Sequence, residues 1–87
     1  MKKITITAVF NHWGHGYIDI VPAGYREWEA NESSSREYNL ASDDYTIVYN
    51  TVTGGGGSVI VTDETGATIG INELAQGMDQ GNFRLSI

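Results

Sequence analysis

Apolar and polar residues alternate with period two in short runs, and this feature constrains the chain more than any other. Residues 4–10 read Ile-Thr-Ile-Thr-Ala-Val-Phe, residues 17–21 Tyr-Ile-Asp-Ile-Val, and residues 45–53 Tyr-Thr-Ile-Val-Tyr-Asn-Thr-Val-Thr. Successive side chains of a strand point to opposite faces, so such runs bury one side of a sheet and leave the other in water. Ile4, Ile6, Ala8 and Phe10 are expected to face inward, as are Ile18 with Ile20, and Phe83, Leu85 and Ile87 in the last run. Turn signals separate the runs at intervals of eight to twelve residues.

Composition agrees with strands. Val, Ile, Thr, Tyr, Phe and Trp supply 32 of the 87 residues, whereas Ala, Leu, Lys and Met supply 13. The first set packs well on a pleated surface and the second favours helices. A chain of this length makes a single domain, here 1–87, and buries roughly 60–65% of its unfolded surface. The expected fold is all-β, a small antiparallel Greek-key β-sandwich of about seven or eight short strands, with a small β-barrel as the alternative.

Runs 4–10 and 17–21 read as a hairpin across the glycine-punctuated segment 11–16. Pro22-Ala23-Gly24 breaks the second of them. Residues 25–30 follow as a polar edge strand, with Trp28 and Ala30 on one face and Glu27 and Glu29 on the other. A loop over 31–35, a strand over 36–40 and a turn over 41–44 come next. Runs 59–62 and 67–71 flank Asp63-Glu64-Thr65-Gly66, a hairpin turn. Residues 72–78 are expected to make one helical turn, capped by Asn72 and stopped by Gly77. No internal repeat is evident. The run Gly54-Gly55-Gly56-Gly57-Ser58 spells the unit of a common engineered linker and predicts a mobile loop, natural or engineered.

Leu40 and Tyr45 bracket the acidic turn Ala41-Ser42-Asp43-Asp44, with Ile47 following. This spacing resembles a tyrosine corner, in which a Tyr hydroxyl ties back to the preceding turn and pins a Greek-key crossover. It is similar to the corner of prealbumin-like and PEGA-type accessory domains, which usually carry proline and glycine where this chain has Ser42 and Asp43. The resemblance covers about eight residues and implies a non-catalytic module in a Greek-key sandwich.

Several functions are excluded at this level. The net charge is −6, from 5 Lys+Arg against 11 Asp+Glu, so the basic footprint of a direct nucleic-acid binder is missing. There is no cysteine, hence no disulfide framework or thiolate metal site. No apolar run approaches the roughly 20 residues of a membrane helix, and no membrane partner is expected. Met1-Lys2-Lys3 leads into an alternating run where a leader would have a continuous apolar one, so no targeting signal is expected and the compartment stays open.

The metal-ligand candidates are His12, His15 and Asp19, two imidazoles in one loop with a carboxylate in the next strand. Asp43-Asp44 and Asp63-Glu64 offer oxygens for a loop calcium, and the simpler reading is that they serve their own turns. No serine stands in a nucleophile elbow, and no lysine follows the glycine run as in a phosphate loop. The chain is therefore expected not to be an enzyme and to carry no cofactor; a small enzyme ranks third among the functions considered.

Aromatics carry the remaining signal. Eight of the nine lie in residues 1–49. Trp28, Tyr45 and Tyr49 are read as core. Trp13, Tyr17 and Tyr25, together with Asn11, form the candidate ligand-binding set, able to stack on a sugar ring or anchor a protein. Two functions follow. The first is a small acidic protein-interaction domain, docking a basic partner or a second copy through an edge strand or the Trp13 loop. The alternative is a carbohydrate-binding, lectin-like domain using the aromatics of 11–17, with or without loop calcium.

Overall fold

The computed structural model describes residues 1–30 and 34–87, with the backbone alone for residues 24–30. Eight strands follow one another: β1 (Lys2–Phe10), β2 (Gly14–Val21), β3 (Gly24–Ala30), β4 (Ser34–Leu40), β5 (Asp44–Thr53), β6 (Gly57–Asp63), β7 (Thr68–Leu74) and β8 (Gly77–Ser86). They form two four-stranded antiparallel sheets, one ordered β4-β1-β6-β7 and the other β3-β2-β5-β8. The fold is the expected all-β sandwich. Among the described residues no helix is long and apolar enough to cross a membrane.

Three local expectations are corrected. The runs 4–10 and 17–21 do not pair. β1 bonds to β4 and β6, while β2 bonds to β3 and β5 in the opposite sheet. Residues 11–13 carry the chain from one layer to the other, which a period-two pattern alone cannot distinguish from a hairpin loop. Residues 72–78 make no helical turn: β7 runs to Leu74 and β8 starts at Gly77. Asn72 lies in the ladder opposite Val59 and bonds across the interior, where a cap would have faced the chain end. Ser34 and Ser35 of the expected 31–35 loop belong to β4; residues 31–33 lie outside the described residues.

The strand order hides a twofold relation. Phe10 pairs with Gly57, and Thr53 pairs with Gly14. A shift of 43 positions carries Phe10 to Thr53 and Gly14 to Gly57, and so superimposes the two ladders on one another. The outer strands keep the topology with an offset register: Ile4 lies opposite Tyr38, whose shifted position is Gly81, whereas Ile47 lies opposite Phe83, two residues further on. Residues 2–40 and 44–86 are thus two four-stranded units of one topology, each giving strands to both sheets. The sequences of the two units do not match residue by residue, which is why no repeat is legible in the chain.

Alternation places the core. Ile4, Ile6, Ala8 and Phe10 of β1 are buried against Ile18, Ile20, Tyr45, Ile47, Tyr49, Val59, Val61 and Leu85. Burying an isoleucine side chain contributes about 2 kcal/mol, so the Ile-rich centre holds the layers together. Toward β7 and β8 the interior turns polar. Asn72 Nδ2 donates to Tyr49 Oη at 2.7 Å, and Thr51 and Thr53 are buried.

Two turns are built as their residues require. Tyr45 Oη donates to the Ala41 carbonyl at 2.8 Å, the bond a tyrosine corner makes, and the ring is buried. Asp63 Oδ1 accepts from Thr65 Oγ1 at 2.6 Å, Thr65 N at 2.9 Å and Ala67 N at 3.1 Å. Those donors, the Thr65 hydroxyl foremost, hold the Asp63 carboxyl below its ordinary value of 3.8.

Candidate functional site

The two connections that cross between layers at one end, residues 11–13 and 54–56, meet each other. Asn11 N donates to the Gly56 carbonyl at 2.9 Å and Gly54 N to the Trp13 carbonyl at 3.0 Å. These bonds are twofold mates of one another. Asn11 Nδ2 adds a bond to the Gly55 carbonyl at 3.2 Å. One loop carries three large side chains and the other carries three glycines, and the contact explains why. A Cβ on Gly54 would lie 2.5 Å from Trp13 Cδ1, and one on Gly55 2.5 Å from His12 Cδ2. The indole and the imidazole rest on bare backbone. Gly56 has φ +75°, a left-handed conformation that favours glycine, and its N–H donates to Thr53 Oγ1 at 2.8 Å. The glycine run is therefore a fitted floor, with Gly57 and Ser58 already in β6. The expectation of a slack, mobile loop is corrected.

Trp13 leaves this floor 44% exposed. Its ring meets His15 edge to face, with centroids 6.5 Å apart. His15 and Tyr17 follow on the outer face of β2, opposite the buried Ile18 and Ile20, and Tyr17 is 48% exposed. Register sets His15 beside Val52 and Val52 beside Met78, and sets Tyr17 beside Asn50. Together they line a shallow groove of about 250 Å³ bounded by His15, Tyr17, Asn50, Val52 and Met78. The groove is open to solvent along its length.

Of the candidate ligand-binding residues, Asn11, Trp13 and Tyr17 lie at this end of the sandwich. Tyr25 has its backbone opposite Asp19, and its side chain lies outside the described residues, as does that of Trp28. Tyr45 and Tyr49 are core, as expected. The candidate metal residues are not brought together. His12 is turned onto Gly55, and His15 and Asp19 are four residues apart on β2, about 13 Å along the strand. Among the described residues no three His, Asp or Glu side chains cluster. The acidic turns bond within their own neighbourhood: Asp43 Oδ1 accepts from Asp44 N and Asp44 Oδ1 from Ser86 Oγ.

Asn50, Val52 and Met78 were not singled out from sequence. The phase of 45–53 does put Asn50 and Val52 on the face opposite Tyr45, Ile47 and Tyr49. Met78 was hidden by the helical reading of 72–78. No protein-family model, curated protein or solved structure matches this chain.

Proposed function

We propose that this domain is a non-catalytic protein-interaction module whose contact surface is the Trp13–His15–Tyr17 edge and the groove beside it. The supporting observation is the exposure of large aromatic and apolar side chains there, with Trp13, Tyr17 and Met78 at 44%, 48% and 77%. Half-exposed aromatics held by a rigid floor bury much area at little entropic cost when a partner docks. The net charge of −6 favours a partner with basic groups around an apolar anchor. Selection of a random peptide library on the protein tests this. Enriched peptides should pair apolar with basic residues and lose binding to Trp13→Ala combined with Tyr17→Ala. No enrichment, or binding undiminished in that variant, rejects it.

A second reading, saccharide binding, is favoured by one arrangement: Tyr17 stands beside the amide of Asn50, with Trp13 exposed at the same end. An aromatic platform next to a side-chain amide is what a sugar ring and its hydroxyls require. Titration of tryptophan emission with a panel of oligosaccharides, repeated on Trp13→Phe, separates it from the first. A saccharide-dependent change lost in the variant supports it; none rejects it.

A further inference from the structure

A sandwich of two open sheets has four edge strands, and an open edge invites another strand unless something blunts it. Here the edges are β3, β4, β7 and β8. Three of them are guarded. β3 carries Arg26, Glu27 and Glu29 in seven residues, and β4 exposes Arg36 and Glu37. The β7 ladder is broken by a register shift between Val61 and Thr62. β8 is the least guarded of the four: it has no register shift, and its two charges are spread over ten residues where those of β4 stand side by side in seven. It pairs with β5 over ten consecutive positions without a shift, and it contains no proline and no lysine. Its only charges are one acid, Asp79, and one base, Arg84, so it is neutral in a chain of net charge −6. Among the described residues no other element makes a backbone hydrogen bond to it.

We propose that β8 is a self-pairing edge, and that its occupant is β8 of a second copy, joined antiparallel about a twofold axis at Gly81. The two outer faces are then continuous only if paired residues have numbers of the same parity, because opposed side chains in a ladder share a face. Centring on Gly81 satisfies this and engages nearly the whole strand. Gln80 comes opposite Asn82 of the second copy, amide to amide, and Met78 opposite Arg84. Asp79 comes opposite Phe83, so no two like charges face each other. The interface is isologous and closes at two copies. Because the rest of each copy is acidic, added salt strengthens the pair by screening the repulsion between the two bodies.

Sedimentation of the full chain over a concentration series tests this. The mass should rise from 9.5 kDa toward twice that value by about 1 mM, the regime of interfaces below about 1,200 Å², and rise further with salt. Gln80→Lys with Asn82→Lys, both at exposed positions, sets lysine against lysine twice and should leave only monomer. Ile71→Lys on β7 should leave the pair intact. In the wild-type chain, hydrogen exchange of β8 amides should slow as concentration rises, a readout that requires no variant. A monomer at every concentration and salt overturns the proposal. So does a dimer that survives the double lysine variant, or one that Ile71→Lys dissociates.

Discussion

Loops 11–13 and 54–56 occupy equivalent places in the two units, yet one is Asn-His-Trp and the other Gly-Gly-Gly. They touch across the axis that relates them. Only one can then carry bulk, because each large side chain on the first uses space that a Cβ on the second would fill. The strands leading into them differ in the same spirit. Ile6, Ala8 and Phe10 of β1 correspond by the 43-residue shift to Tyr49, Thr51 and Thr53 of β5. The first set is dry. In the second, Thr53 Oγ1 accepts from Gly56 N, the bond that steadies the glycine loop. One topology is thus used twice with divided labour: the first unit presents side chains, and the second supplies the bed beneath them.

The largest effects should come where the two units remain alike. Ile4 and Ile47 correspond and are both fully buried. Each mutated to Ala should lose about 3 kcal/mol in chemical denaturation, with the two values close together. A large inequality would show that the twofold relation does not extend to the energetics of the core. Next come Gly56 and Trp13, which also correspond. Gly56→Ala forces a side chain into φ +75° and brings a Cβ 2.6 Å from the Leu74 carbonyl, so about 1–3 kcal/mol should be lost. Trp13→Ala, half exposed, should lose about 1 kcal/mol or less in the same assay. The smaller residue should matter more to folding, and the reverse order would break the comparison.

Tyr45→Phe removes the hydroxyl bond to the Ala41 carbonyl at the crossover of β4 into β5. A destabilisation of about 1 kcal/mol is expected in thermal unfolding. Gly54→Ala should do less to stability than to the indole it displaces. In a Trp28→Phe background, the emission of Trp13 should shift to the red and become easier to quench. The smallest effect concerns the β6–β7 hairpin, whose counterpart turns on Pro22 and Ala23. The folded Asp63 carboxyl titrates below its unfolded value. Its contribution is therefore present above the unfolded value and lost as pH falls through the folded one. Asp63→Asn should lower stability slightly at neutral pH, where the carboxylate's contribution is fully present, and flatten the profile in that acid range so that the two proteins converge.

Much of the fold was legible because period two is a strong signal where one face is buried. Ile4 to Phe10, Tyr45 to Tyr49 and the Asp63 turn all lie where their pattern puts them. Partner choice was not legible, because alternation says which way a residue faces and is silent about which strand lies beside it. That is why 4–10 and 17–21 looked like a hairpin. The site was legible in Trp13 and Tyr17, whose phase or loop position left them outside. Its floor was not, since four glycines in a row look the same in a slack linker and under an indole. Met78 joined the groove only once β8 was seen to begin at Gly77.

The interleaving of the units also bears on how the chain reaches this state. β1 has its inner partner in β6, and β2 has its own in β5. A growing chain that has emerged only as far as Thr53 holds β4 and β1 as an isolated pair, with the inner edge of β1 still unpaired. Neither sheet is complete until the last third of the chain arrives, and the β1–β6 contacts span more than half its length. Closing such long loops before any reward is slow, so folding on the order of milliseconds to seconds in one cooperative step is the natural outcome.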